Sequence, residues 1–419
     1  MSAGALHTWI KRHITVRWRL GRICTAYLLF LLVATSKHSL KEAARFSGLH
    51  PSLFSKLLKA HSNVAISTLD QLSKSQARKI AKALERVRGL PWKSLLIIDA
   101  TVQHRASLHP ENAKTFNHGK GYVIGHQWTN IVLVLGDILI PLKPIPFYSK
   151  GYCQAQGLTY QSEHERVVDY LKALDLEAYL GPYDRREVVV LADSGYDDKK
   201  IEQAIAQKGW NFIIALGKTR SVKSTALYLS SPKSKHWFHV DAFFRRHRRL
   251  KWDTVRLGAN GNKRKRMDFR IRHTAGDLRY VGQVELVCSE QRNRPDGRRK
   301  YLACNDLRAT PRQIVTGYRL RWVVELWHKC VKQNLGFEEV ATHCFDAVVS
   351  PVHWVYCAYI LLHMSPPGLS PESQSVGDKQ RALQRGQANQ EKRHILQKLT
   401  HIGGVQRYKD ELRQALADA

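Results

Sequence analysis

Acidic residues are scarce in this 419-residue chain: 35 Asp and Glu face 67 Lys and Arg, a formal net charge of +32. Such an imbalance says nothing about fold, but it concentrates polyanions around the protein and costs self-repulsion unless one binds. Nucleic acid is the first partner to consider and an anionic membrane the second. Cysteine pairs are missing too. The seven cysteines, Cys24, Cys153, Cys288, Cys304, Cys330, Cys344 and Cys357, are odd in number and never spaced C-x-x-C. That argues against a zinc ribbon and a disulfide scaffold and implies a reducing compartment. No apolar run is long enough to cross a bilayer, which takes about 20 residues. The one membrane-like stretch, Ile23 to Thr35, has 13. It follows basic residues and ends in VATS, the outline of a signal peptide, but the unpaired thiols and the charge favour a buried amphipathic helix. Walker and Rossmann glycine patterns are absent, so no nucleotide cofactor is indicated.

What is present suffices for two to four domains with real cores, since 43% of residues are apolar and 9% aromatic. Charge is unevenly distributed: +13 over 1–90, zero over 91–218, +15 over 219–310 and +4 over 311–419. Residues 1–90 read as helical, with apolar residues at helical spacing and an end near Gly89 and Pro91. Residues 91–218 read as α/β. Ser94 to Ile98, Ile131 to Leu135, Ile138 to Leu142, Val188 to Ala192 and Phe212 to Leu216 are strand-like runs, and helical patterns cover about 161–178 and 198–208. Gly136-Asp137 joins two of the runs as a hairpin turn. Residues 219–310 read as a basic β-rich insertion, with strands at Arg279 to Ser289 and Lys300 to Cys304. Thr310-Pro311 then opens one long helix to about Leu335, stopped by Gly336, within a block 311–364. Residues 365–392, rich in Pro, Ser and Gln, read as a flexible linker before a C-terminal helix over 393–419.

Leu40 to Leu58 has helix-turn-helix spacing. Ala43 and Ala44 let two helices approach, Gly48 marks the turn, and Leu49, Phe54 and Leu57 pack the second helix back on the first. A second helix beginning near His50 or Pro51 would present Ser52, Ser55, Lys56 and Lys59 to DNA.

Three acids stand out by context. Asp99 ends the run LLII and Asp193 ends VVVLA, and an acid where a buried strand emerges is costly unless something pairs with it. In the long helix Tyr318, Arg321, Glu325 and Lys332 fall at roughly 0°, 300°, 340° and 320° at about 100° per residue. A phenol, a guanidinium, a carboxylate and an ammonium thus share one stripe, unlike an apolar core face or a solvated charge ladder. Were Glu325 to meet Asp99 and Asp193, three carboxylates could hold two Mg²⁺ ions about 3.5–4 Å apart, the arrangement used in phosphoryl transfer. Arg321 and Lys332 could then clamp phosphates.

Tyr-x2-Arg-x3-Glu-x6-Lys, spelled by Tyr318, Arg321, Glu325 and Lys332, resembles the Y-R-E-K signature of bacterial DDE transposases of the insertion-sequence type 4 family. Asp99 in Asp-Ala-Thr, and Asp193 with Tyr196 in Asp-x-Gly-Tyr, look like that family's first two acidic motifs. The layout is similar as well, over about residues 35–340. The resemblance implies an RNase H-like catalytic core interrupted by the β-rich insertion, flanked by the N-terminal helix-turn-helix domain and a C-terminal helical tail. It implies cut-and-paste transposition: nicking at an element's end, attack of the freed 3′-OH on the opposite strand to leave a hairpin, and joining of the 3′-OH to target DNA. Asp99, Asp193 and Glu325 would be the catalytic, metal-holding residues, with two Mg²⁺ for which Mn²⁺ can substitute, and Tyr318, Arg321 and Lys332 would hold the DNA backbone. The partners implied are double-stranded terminal inverted repeats, target DNA and a second copy of the chain in a synaptic homodimer, in a bacterial cytoplasm at the nucleoid. Relatives stack an insertion-domain Trp on a flipped base, for which Trp237 and Trp252 are the local candidates.

The insertion carries Arg245, Arg246, Arg248, Arg249 and Lys251, then Lys263, Arg264, Lys265 and Arg266, a phosphate-tracking pattern. His343, Cys344, His353 and Cys357 lack the tight pair of a metal site, and Glu163, His164 and Glu165 read as surface residues of a helix. Two other functions remain compatible: a DNA-binding regulator or domesticated relative without the chemistry, and a structure-specific nuclease.

Overall fold

The computed structural model describes residues 3–34, 37–86, 89–117, 121–224, 237–247, 250–257, 267–292, 299–340, 342–364, 366–367, 369, 375–402 and 404–417. The chain divides into two compact units, Met1–Leu72 with Cys330–Ala419, and Ser73–Lys329. This grouping differs from the composition blocks: the N-terminal helices share a core with the C-terminal ones.

In the first unit the apolar run forms the helix Trp18–Val33, with Tyr27, Leu28, Phe30 and Leu32 fully buried. It is apolar on most sides because it has neighbours on most sides. Asp346–His363, itself buried over nearly its whole length, packs on it and on the helix Pro51–Ala60, and Val376–Ile402 covers a further face. Burial of each large apolar side chain is worth about 1.5–3 kcal/mol. Among the described residues no helix is long and apolar enough to cross a membrane.

The linker expected over 365–392 is corrected by the helix Val376–Ile402. Ser375 accepts from Asp378 N (3.2 Å), Leu383 is 1% exposed, and Gln384 Nε2 donates to Ala34 O (2.8 Å), so this polar segment has a cap and a docking face. Val405–Ala417 follows as a last helix.

The second unit is built on a mixed sheet that follows the expected runs. Its strands include β1 (Ser94–His104), β2 (Tyr122–Leu135), β3 (Ile138–Pro141), β4 (Val188–Ala192), β5 (Asn211–Leu216), β6 (Met267–Leu278), β7 (Gly282–Gln291) and β8 (Arg299–Cys304). Gly136-Asp137 makes the two-residue turn, with Leu135 paired to Ile138 and Gly136 at φ 58°. β1 runs antiparallel to β2 and parallel to β4, and β4 is parallel to β5. The crossovers use Glu163–Ala173 and Lys199–Gln207 among other helices. β8, β7 and β6 continue the sheet beyond β5 by antiparallel pairing. The β-rich segment is thus an extension of the same sheet.

The single long helix expected from Pro311 is two helices, Pro311–Arg319 and Trp322–Asn334. Leu320 N and Arg321 N bond back three residues, to Gly317 O (2.9 Å) and Tyr318 O (3.1 Å), a tightened turn that separates them. Thr310 caps the first, with Gln313 completing a capping box and Pro311 in the first turn, as the sequence indicates.

Candidate active site

Asp99 sits midway along β1, where β2 is still paired with it through Asn130. Pairing between β1 and β4 ends at Ile98 with Ala192, so Asp99 and Asp193 are the residues that follow the last β1–β4 pair. Asp193 opens the tight turn Ser194–Tyr196, where its Oδ1 accepts from Gly195 N (2.8 Å). Glu325 stands in the first turn of Trp322–Asn334.

Arg321, in the break between the helices, joins two of these acids. Its Nη1 donates to Asp99 Oδ1 (3.0 Å) and its Nη2 to Glu325 Oε1 (2.5 Å). The side chains of Arg321 and Asp99 are both 12% exposed, so the pairing is little screened by water. His328, one turn beyond Glu325, places Nδ1 3.5 Å from Asp99 Oδ2. Asn130, the cross-strand partner of Asp99, donates from Nδ2 to His328 Nε2 (3.0 Å), which leaves the ring proton on Nδ1.

Burial pushes the Asp99 carboxyl up to about 7. Arg321 opposes the shift, while the negative charges of Asp193, Glu325 and Glu163 add to it. Four carboxylates therefore lie within electrostatic reach of one point, against the guanidinium of Arg321 and the ammonium of Lys300. Partial desolvation and Arg321 hold the Lys300 pKa below the usual lysine value, against Asp193 and Glu325. Lys300 Nζ also lies 5.1 Å from the Tyr318 ring centroid. Tyr318 is buried, which raises its phenol pKa against the opposing pull of the Arg321 side chain beside its hydroxyl.

The centre is rich in carboxylate oxygens, which suit a hard divalent cation. Among the described residues no three His, Cys, Asp or Glu side chains are grouped so as to hold a metal ion; the Arg321 guanidinium is bonded to both Asp99 and Glu325.

Residues 161–361, just under half of the chain, match the family model of the transposase DDE domain. That match supports a transposase function. It includes Asp193, Tyr318, Arg321, Glu325 and Lys332 and leaves Asp99 outside. No curated protein matches the chain.

Of the residues singled out in the sequence, Arg321 and Glu325 are joined to Asp99 by hydrogen bonds through the guanidinium, and Asp193 and Tyr318 lie within electrostatic reach of them. Lys332 belongs to the other unit, where it pairs with Glu338 (3.1 Å). Ser52, Ser55, Lys56 and Lys59 are all exposed on Pro51–Ala60, while Phe54 and Leu57 are fully buried. Gly48 adopts φ 66° at the turn, a conformation that favours glycine. Arg245 and Arg246 are exposed on Val240–Arg246, Arg245 paired with Asp241 (2.9 Å). Arg248, Arg249, Lys263, Arg264, Lys265 and Arg266 lie outside the described residues. Trp237 is 40% exposed, whereas the Trp252 ring is covered by Arg272 at 4.2 Å.

Sequence reasoning missed Glu163, Lys300, His328 and Asn130. His328 could have been found, since three residues after Glu325 is the same helix face. Glu163 carried no such signal. Taken for a surface residue, it accepts from Thr129 Oγ1 (2.6 Å) and Tyr196 OH (2.7 Å) at Oε1, and from Gln127 Nε2 (2.7 Å) at Oε2.

Proposed function

We propose that this chain is a metal-dependent DDE transposase that cleaves DNA at the ends of an insertion element and joins the 3′-OH to target DNA. The observation that carries the reading is Arg321 bonded to both Asp99 and Glu325, with the negative charge of Asp193 felt at Asp99. Strand order supports an RNase H-like core: β3-β2-β1-β4-β5, the first three antiparallel and the last two parallel to β1.

Asp99, Asp193 and Glu325 would hold two Mg²⁺ ions. Bound there, the ions would supply Lewis-acid activation of an attacking oxygen and neutralise the leaving one. The chain's own residues do the rest. Arg321 can turn a donor from a carboxylate to a phosphate oxygen, and Lys300 and Lys332 add positive charge for the backbone. The Tyr318 hydroxyl can donate to a phosphate oxygen. The exposed face of Pro51–Ala60 would read the terminal repeat, and a second copy would complete a synaptic dimer in the cytoplasm.

Glu325→Gln tests the reading. It should bind a DNA end and fail to cut it in Mg²⁺, and wild-type cleavage by this variant would sink the proposal. Joining of a supplied 3′-OH end to plasmid separates a transposase from a nuclease.

A further inference from the structure

We infer that Glu163 is a positioning residue that fixes the spacing of Asp99 and Asp193. This rests on the function proposed above. Backbone pairing between β1 and β4 stops at Ile98 with Ala192, so no β1–β4 ladder bond fixes the acids that follow. Beyond that point β1 is held by β2, where Asp99 pairs with Asn130 and Ala100 with Thr129. Asp193 departs into its own turn.

Glu163 spans the resulting gap. It is the first residue of Glu163–Ala173, whose start is fixed by the capping box of Ser162 and Glu165. Through Thr129 and Gln127 it holds β2, the strand that carries β1, and through Tyr196 it holds the turn opened by Asp193. Tyr196 is 4% exposed, so its hydroxyl depends on Glu163 rather than water. Both lone pairs of Oε1 are taken, by Thr129 and Tyr196, and Oε2 accepts from Gln127. A carboxylate so occupied orients other groups rather than coordinating a cation.

The test is Mn²⁺ binding to the full-length protein without DNA, followed by the ion's paramagnetic resonance and by calorimetry. Glu163→Gln offers a single acceptor oxygen and should bind Mn²⁺ about 10–100-fold more weakly, with its thermal midpoint and end binding near wild type. Tyr196→Phe and Thr129→Val remove one donor each and should weaken Mn²⁺ in the same direction. Adding Tyr196→Phe to Glu163→Gln should cost little more than Glu163→Gln alone. Wild-type Mn²⁺ affinity in Glu163→Gln would overturn the inference. Should that variant not fold, unchanged affinity in both Tyr196→Phe and Thr129→Val would do so. Loss of one bound Mn²⁺ with the other unaffected would also overturn it, by making Glu163 a ligand. Wild-type protein that binds no Mn²⁺ and cuts no DNA would remove the underlying function, whereas tight Mn²⁺ in wild type and Glu163→Gln alike removes only this inference.

Discussion

Arg321 donates to Asp99 across 222 residues of sequence, at 3.0 Å. Its guanidinium is in direct contact with two of the three acids, Asp99 and Glu325, and it comes from the break between two helices. A straight helix through this segment would aim position 321 along a fixed stripe; the break frees it to lean toward β1.

Removing the bridge should therefore be felt in stability as well as in chemistry. Arg321→Ala leaves Asp99 and Glu325 without their shared donor and is expected to lower unfolding free energy by about 1–3 kcal/mol. Arg321→Lys keeps the charge without the forked geometry and should recover part of it. Urea titrations decide, and an Arg321→Ala curve lying on the wild-type one would show that the bridge adds nothing.

A second expectation concerns pH. Glu202 is fully buried beside Arg220 and Asp197. Burial pushes its carboxyl up to about 8, against the pull of Arg220, with Asp197 adding to the rise. The unfolded chain releases this proton near pH 4.3 and the folded chain near 8, so the folded state holds the extra proton in between. Stability contributed by this group should fall as pH rises through that interval, by at most about 1.4 kcal/mol per unit. Glu202→Gln stays neutral and should flatten the dependence measured in denaturant at pH 5, 6.5 and 8.

The exposed face of Pro51–Ala60 can be separated from its core. Lys56→Ala and Lys59→Ala should weaken DNA binding and each lower the salt-dependence slope by about 1, with no change in thermal midpoint. Phe54→Ala should cost about 3–5 kcal/mol. Binding isotherms at three salt concentrations test the first pair; slopes equal to wild type would remove this helix from the DNA interface.

Gly317 lets Pro311–Arg319 lie against the sheet. A Cβ there would stand 3.0 Å from Ile213 Cδ1 and 3.1 Å from Trp92 Cζ3. Gly317→Ala should cost about 1–3 kcal/mol by overpacking, and by shifting Tyr318 it should slow DNA cleavage more than it weakens DNA binding. Unchanged cleavage in a destabilised variant would uncouple the helix position from the chemistry.

The sheet was legible because its strands are short β-branched runs, and Gly136-Asp137 fixes a turn by local chemistry alone. Asp99 and Asp193 were legible because an acid at the end of such a run needs a partner. The helix break was not, since the pattern around Leu320 is continuous and the interruption comes from tertiary placement. The helix over 376–402 was hidden for a related reason: its composition is polar, and its order comes from a cap at Ser375 and from docking by Leu383, Gln380 and Gln384. Glu163 was hidden most completely. A glutamate at a helix start is ordinary, and its partners lie 33 to 36 residues away in sequence.

The continuity of the sheet from β4 through β5, β8 and β7 to β6 bears on where a cut can fall. Four strand spacings of about 4.8 Å put β6 on the order of 20 Å from the strand that ends at Asp193. A segment hydrogen-bonded into the sheet cannot swing like a tethered flap. If the chain cuts DNA as proposed, DNA gripped at the segment's far end would meet the acids roughly six base steps away, at about 3.4 Å each. Cleavage at one fixed phosphate would then follow from the stiffness of a sheet, without reading the base at the cut.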